Sequence, residues 1–143
     1  MDTTNEYIKM CKEAKDIQDK WEHDEGDFYA AGEHTCKDFT YPELVNGIIG
    51  DENPFNHKCA CCERNYYAEI WWLPRQDQLQ DMLSVVCIRK WAVYYERFIN
   101  VYMKDPDCAF RSTEQAGLGF VMEDIYGKVW NGETWVKLGA KRG

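Results

Sequence analysis

"NYYAEIWWLPRQDQLQDML", residues 65–83, decides the fold class. Up to Trp72 it is rich in aromatic and branched side chains, the composition of a strand on a half-buried pleated surface. Pro74 then ends the run. Proline has no N–H for a sheet ladder, but its fixed φ suits the first position of a helix. Asp77 and Asp81 follow near the positive end of such a helix, where carboxylates are favoured. Leu79, Met82, Val85 or Val86, Ile88, Trp91, Tyr95, Phe98 and Tyr102 continue at helical spacing. The stripe fits one helix over residues 75–103, or two that meet near 85–87. A strand feeding directly into a helix points to an α+β architecture.

The flanking sequence supports that class. In residues 4–21, Tyr7, Met10, Ala14, Ile17 and Trp21 fall on one helical face, and Thr3 with Glu6 has the capping-box pattern. "WEHDEGDF" stops that helix, with Gly26 as the breaker. "DFYAA", residues 27–31, reads as a second strand. "ELVNGIIG", residues 43–50, reads as a short strand or a hairpin turning at Asn46-Gly47. Downstream, Ser112 with Gln115 forms another capping-box pattern. Leu118, Val121, Met122 and Ile125 form that helix's inner face, and Gly127 closes it. "KVWNGETWV" then signals a hairpin, and a two-residue turn at Asn131-Gly132 would set Trp130 and Trp135 diagonally on one face. The expected whole is one α+β domain over residues 1–143. Three to four helices pack on a small antiparallel sheet made of strands 27–31 and 65–72 and the C-terminal hairpin, with residues 138–143 as a flexible tail.

Charge narrows the function. The net charge is −8, and residues 1–27 alone hold nine acids against four bases. An acidic N-terminal half repels phosphate backbones and disfavours general nucleic-acid binding. The same charge suits solubility or a basic protein partner. Glu22, Asp24, Glu25 and Asp27 could hold a cation but read more simply as a solvated turn. Aromatic residues make up 15% of the chain, including six Trp. They suit a compact core or an interface anchor. Tyr66, Tyr67, Trp71 and Trp72 could form an aromatic platform, although strand alternation sends half of them to the core. No apolar run approaches the about 20 residues that span a bilayer. The N-terminus "MDTTNEYIKM" has no basic patch followed by an apolar stretch, so the expected location is the cytoplasm.

The irregular segment 32–65 holds four of the seven Cys. Cys59 and Cys62 have the C-x2-C spacing that offers two thiolates to one ion. His34 and Cys36, two residues apart, offer two more ligands. His57 and Cys61 compete for the same role. A structural zinc would supply the stability that this segment's apolar content does not. Reduced thiols packed as small hydrophobes explain the same residues, and a redox pair is a third reading. Cys11, Cys87 and Cys108 read as packing residues. His23-Asp24-Glu25 with the later C-x2-C resembles the H-x-E and P-C-x-x-C pattern of zinc nucleobase deaminases. The context departs from it, because the His lies in an acidic turn and no Pro precedes Cys59. No G-x-S-x-G, Walker or dinucleotide-binding glycine pattern is present.

Three stretches carry a resemblance: "YIKMCKEAKDIQDKW" leading to "GDFY", "WWLPRQDQLQDML", and "STEQAGLGFVMEDIYGKVWNGETW". They resemble a family of short uncharacterised proteins encoded by phages and prophages. The resemblance covers about two thirds of the chain; the Cys-rich stretch lies outside it. It implies a phage or prophage accessory protein in the cytoplasm of the host cell, and it carries over no chemistry. The expected activity is non-enzymatic binding to a host or phage protein that modulates host defence or replication. The alternatives are a small zinc-dependent enzyme acting on nucleotides and a nucleotide-sequestering protein. Arg75, Arg89, Lys90, Arg97 and Arg111 are the cations available to such a trap.

Overall fold

The computed structural model describes residues 1–33, 45–50, 55, 58, 67–83, 92, 93, 95–97, 99, 100, 104 and 110–139. Helix α1 spans Asn5–Glu13 and is capped by Thr4, one residue beyond the expected Thr3. Thr4 Oγ1 accepts a hydrogen bond from Tyr7 N at 3.3 Å. The expected helix to residue 21 is broken. Ala14, at φ −78° and ψ 60°, ends α1, and a single further turn, α2, spans Lys15–Gln18. Gln18 gives the reason for the break. Its side-chain amide donates to Cys11 O at 3.1 Å and to Trp72 O at 2.9 Å, and its Oε1 accepts from Trp72 N at 2.8 Å. The amide pairs with a sheet edge as a neighbouring strand would, and each such group left unmade in the interior would cost about 1–3 kcal/mol.

That edge belongs to a three-stranded antiparallel sheet in the order β2-β1-β3. Strand β1 is Phe28–Glu33, β2 is Val45–Ile48 and β3 is Tyr67–Leu73. The two aromatic runs therefore form strands as the sequence predicts, each within about two residues of its expected bounds. Asn46-Gly47 does not turn a hairpin; Asn46 pairs with Ala30 and Gly47 with Tyr29 inside the ladder. Glycine stands there for packing, because a Cβ on Gly47 would come 2.8 Å from the Tyr29 hydroxyl. Alternate residues of β1 and β3 feed two apolar clusters. Ala30 and Leu73, with Trp71, join the helices, while Tyr29 and Ala31 gather Ile49, Ile70, Trp21 and Phe55.

Helix α3, Gln76–Met82, starts two residues after Pro74 and is capped by Arg75. Pro74 instead extends the connection, and its carbonyl accepts the buried Tyr7 hydroxyl at 2.6 Å. Asp77 lies in the first turn of α3 as expected, whereas Asp81 falls near its far end. The helix stops at Met82 with Leu83 in a turn, so a single helix from 75 to 103 does not form. Helical backbone recurs at 95–97, while Val85, Val86, Ile88, Trp91, Phe98 and Tyr102 lie outside the described residues.

Helix α4, Thr113–Tyr126, begins at Ser112, whose hydroxyl accepts from Gln115 N at 3.1 Å. The box is incomplete, because Gln115 Oε1 accepts from Arg111 N and not from Ser112 N. Gly127 closes the helix at φ 61°, as the sequence predicts. Leu118, Val121 and Met122 are buried, but Ile125 is 41% exposed as the stripe runs off the core in the last turn. Gly117 and Gly119 let neighbours approach the α4 backbone. A Cβ on Gly119 would overlap the Phe110 ring, and one on Gly117 would come 2.7 Å from Gln76 Oε1.

Strands β4, Lys128–Trp130, and β5, Trp135–Lys137, form a separate two-stranded sheet and do not extend the first one. The turn has four residues, Asn131 to Thr134, in place of the expected two. Asn131 Oδ1 accepts from Glu133 N at 2.9 Å and from Thr134 N at 2.8 Å. Trp130 therefore lies directly opposite Trp135, with ring centroids 5.1 Å apart. Both indoles dock on α1: Trp135 Nε1 donates to Met10 O at 2.9 Å and Trp130 Nε1 to Glu6 Oε1 at 3.1 Å. Tyr7, Met10, Leu73, Leu79, Leu118 and Met122 complete this core. The described residues are α+β, and the break at Ala14 splits the expected N-terminal helix in two. Of the expected tail, Leu138 is held by its N–H to Gly127 O at 2.6 Å; residues 140–143 lie outside the described residues.

Asp2 ties the start of the chain to α4. Its carboxylate accepts from Thr4 N at 2.8 Å, Ser112 Oγ at 2.5 Å and Gln115 Nε2 at 2.9 Å. Burial opposes its charge, but the hydrogen bonds from Ser112, Thr4 and Gln115 prevail and hold the carboxyl below the usual aspartate range. A carboxyl depressed in the fold stabilises it above the unfolded value, and that stability fades as pH falls through the folded value. Denaturant unfolding should therefore show stability falling from about pH 4 downward. Asp2→Asn should flatten that part of the profile; an unchanged slope would remove Asp2 from it.

Candidate functional site

The turn between α2 and β1 is organised by one carboxylate. Asp27 is 5% exposed. Its Oδ2 accepts from Trp21 Nε1 at 2.9 Å and Asp24 N at 3.0 Å, and its Oδ1 accepts from Gln78 Nε2 at 2.6 Å. Gln78 is fixed in turn, because its Oε1 accepts from Arg75 N at 2.9 Å. Of the four acids expected in a solvated turn, Glu22, Asp24 and Glu25 are exposed, and Asp27 is the exception. Gly26, at φ 89°, turns the chain so that Asp27 points inward beside its exposed neighbours.

This turn and α3 enclose a cleft of about 500 Å³. Trp21 and Trp72 form its aromatic wall, with rings 3° from parallel and centroids 6.1 Å apart. Met82 adds apolar surface, and Glu22, Asp24, Glu25, Asp27 and Asp81 supply carboxylates. Among the described residues, two cations also line it, and both are engaged. Arg75 Nη1 donates to Gly26 O at 2.9 Å, and its Nε pairs with Asp77 at 3.2 Å. Hydrogen bonds from Arg75 hold the Asp77 carboxyl below its usual range. Lys20 Nζ donates to the Tyr126 hydroxyl at 3.2 Å and lies 5.0 Å from the centre of that ring. Among the described residues, none of the cleft's five carboxylates has an ion-pair partner. The cleft is thus an aromatic surface with five carboxylates against two cations among the described residues, a net negative site suited to a cation.

A second cleft, of about 370 Å³, shares Trp21 as a wall. Lys12, Lys15 and Asp19 supply its charges, and Trp71, Phe55 and His23 its rings. His23 stacks on Phe55 at 4.4 Å and meets Trp21 edge-on at 6.2 Å. His23 is exposed, and among the described residues its ring contacts are with Phe55 and Trp21.

The proposed zinc ligands His34, Cys36, Cys59 and Cys62, with their competitors His57 and Cys61, lie outside the described residues. So do Cys87, Cys108 and Tyr66. Among the described residues there is no group of three or more His, Cys, Asp or Glu placed to hold a metal ion. Cys11 is a packing residue as expected; burial pushes its thiol far above the usual range, against the lowering effect of its hydrogen bond to Tyr7. Trp71 and Trp72 are both half-buried, so strand alternation does not sort them into core and surface. Trp71 packs on the helical core and carries Lys12 Nζ 4.5 Å from its ring centre. Among the described residues, no helix is long and apolar enough to cross a membrane. Comparison with protein-family models, with curated proteins and with solved structures returned no match.

Sequence reasoning located the acids and the tryptophans but not the cleft. The missing information was the pairing of Asp27 with Gln78, 51 residues away, which no local spacing rule connects.

Proposed function

We propose that the protein is a phage or prophage accessory protein, active in the cytoplasm of the host cell, that works by non-enzymatic binding of a host or phage protein. Its sharper form is modulation of a host defence or replication factor. The partner presents a basic segment to the cleft between the acidic turn and α3. The observation that carries this reading is the cleft itself: five carboxylates around the Trp21 and Trp72 rings, with both lining cations engaged elsewhere. A desolvated arginine or lysine over an indole gains about 2 kcal/mol or more, and complementary charge speeds encounter. A nucleotide trap has less support, since Arg75 is engaged with Gly26 and Asp77.

Fluorescence anisotropy with a labelled arginine-rich peptide tests the reading. Wild-type protein should bind it with an affinity that weakens as salt rises. The neutralised variant Glu22→Gln, Asp24→Asn, Glu25→Gln, Asp81→Asn should bind at least about tenfold more weakly, as expected when several ion pairs to the peptide are removed. Equal affinity of the two proteins would reject the cleft as the docking site. A structural zinc on His34, Cys36, Cys59 and Cys62 belongs to the same proposal on the strength of the sequence spacing. Elemental analysis of protein purified without a metal column should find about one zinc per chain, as a closed four-ligand site requires; its absence would remove the metal from the account.

A further inference from the structure

The two clefts meet at one residue and carry opposite charge. Trp21 lines both. On the acidic side, among the described residues, five carboxylates face two cations that are engaged elsewhere. Among the described residues, the second cleft has Lys12 and Lys15 against one carboxylate, Asp19. Lys15 is exposed and has no ion-pair partner among the described residues. Lys12 sits over Trp71, and its ion pair among the described residues is a loose 3.9 Å approach to the exposed Glu69. A segment that is basic throughout would satisfy the first cleft and meet like charge in the second, and that juxtaposition is unfavourable.

We propose that the docked segment is bipolar: it crosses the edge of Trp21 with a basic side chain in the acidic cleft and an acidic side chain at Lys12 and Lys15. This rests on the reading above and adds to it the sequence class of the partner. Trp21 is the fulcrum. Its indole N–H is held by Asp27, so the ring is fixed before the segment arrives. The acidic cleft supplies most of the attraction, and the lysines select against segments of uniform positive charge.

The test uses labelled peptides with two arginines, a spacer of one to four Gly or Ser residues, and two glutamates. Peptides of the same length with four arginines serve as the comparison. At one spacing or more, the bipolar peptide should bind about tenfold more tightly than the all-arginine peptide, because its glutamates attract the two lysines where arginines would repel them. Lys15→Glu should reverse that preference while leaving the fold intact, because Lys15 is exposed. If the all-arginine peptide binds at least as tightly at every spacing, the bipolar segment is overturned while the acidic cleft stands. The same holds if Lys15→Glu leaves the ratio unchanged. If neither peptide distinguishes wild type from the neutralised-cleft variant, both readings fall.

Discussion

Trp135→Ala should lower the stability of the protein by about 3–5 kcal/mol. The ring is 8% exposed, faces Trp130 across the hairpin, and donates its indole N–H to Met10 O inside the core. Alanine removes the largest apolar contribution of β5 and leaves a cavity between the hairpin and α1, which α1, pinned by Tyr7 to Pro74, cannot close. A stability of about 5–15 kcal/mol leaves little reserve after such a loss, so the thermal midpoint should fall by about 10–20 °C. Trp135→Phe separates the two contributions. It keeps a six-membered ring and loses the pyrrole edge with its hydrogen bond, so it should cost less than alanine, about 1–2 kcal/mol; Met10 O still accepts from Ala14 N. An alanine variant within about 1 kcal/mol of wild type would mean that the hairpin does not dock on α1 as described.

Asp27→Ala should cost about 2–4 kcal/mol and abolish peptide binding together with it. The side chain accepts from Trp21 Nε1, Asp24 N and Gln78 Nε2, and alanine leaves all three donors without their acceptor. The acidic turn then loses its anchor to α3, and Trp21 loses its fixed orientation. Asp27→Asn is the sharper probe. An asparagine can accept on one atom only, so its NH2 would face the Gln78 NH2. Gln78 cannot flip to relieve this without giving up the bond from Arg75 N to its Oε1. The asparagine variant should therefore lose about 1–2 kcal/mol although its shape is unchanged. An asparagine variant as stable as wild type would show that Gln78 is free to turn and that the turn is not locked to α3.

What the sequence made legible is local. The aromatic runs at 28–33 and 67–73 needed only side-chain type to be read as strands. Helix α4 announced its start at Ser112 and its end at Gly127 through caps that local residue type reveals. Where the reading failed, a partner beyond the local pattern had intervened. The helix expected to reach residue 21 breaks because Gln18 bonds the backbone of Trp72, 54 residues away. Of the two readings of residues 43–50, the strand holds and the turn at Asn46-Gly47 does not: Gly47 sits in the ladder, where a Cβ would crowd Tyr29. The two-residue turn expected at 131–132 widens to four residues because Asn131 caps the backbone of Glu133 and Thr134. The site followed the same rule. Its charges were visible as a run of acids, but the cleft depends on Asp27 meeting Gln78 and on Trp21 lying against Trp72, and neither pairing leaves a trace in local spacing.

If the partner docks in the acidic cleft beside Trp21, the indoles there must sense it. Titrating isotope-labelled protein with an arginine-rich peptide, and following the indole N–H signals by NMR, tests this most directly. The Trp21 and Trp72 signals should shift in a saturable way that added salt reverses, while those of Trp130 and Trp135, held by Glu6 and Met10 in the hairpin, should stay in place. Shifts confined to the hairpin tryptophans, or a Trp21 signal that never moves, would contradict it.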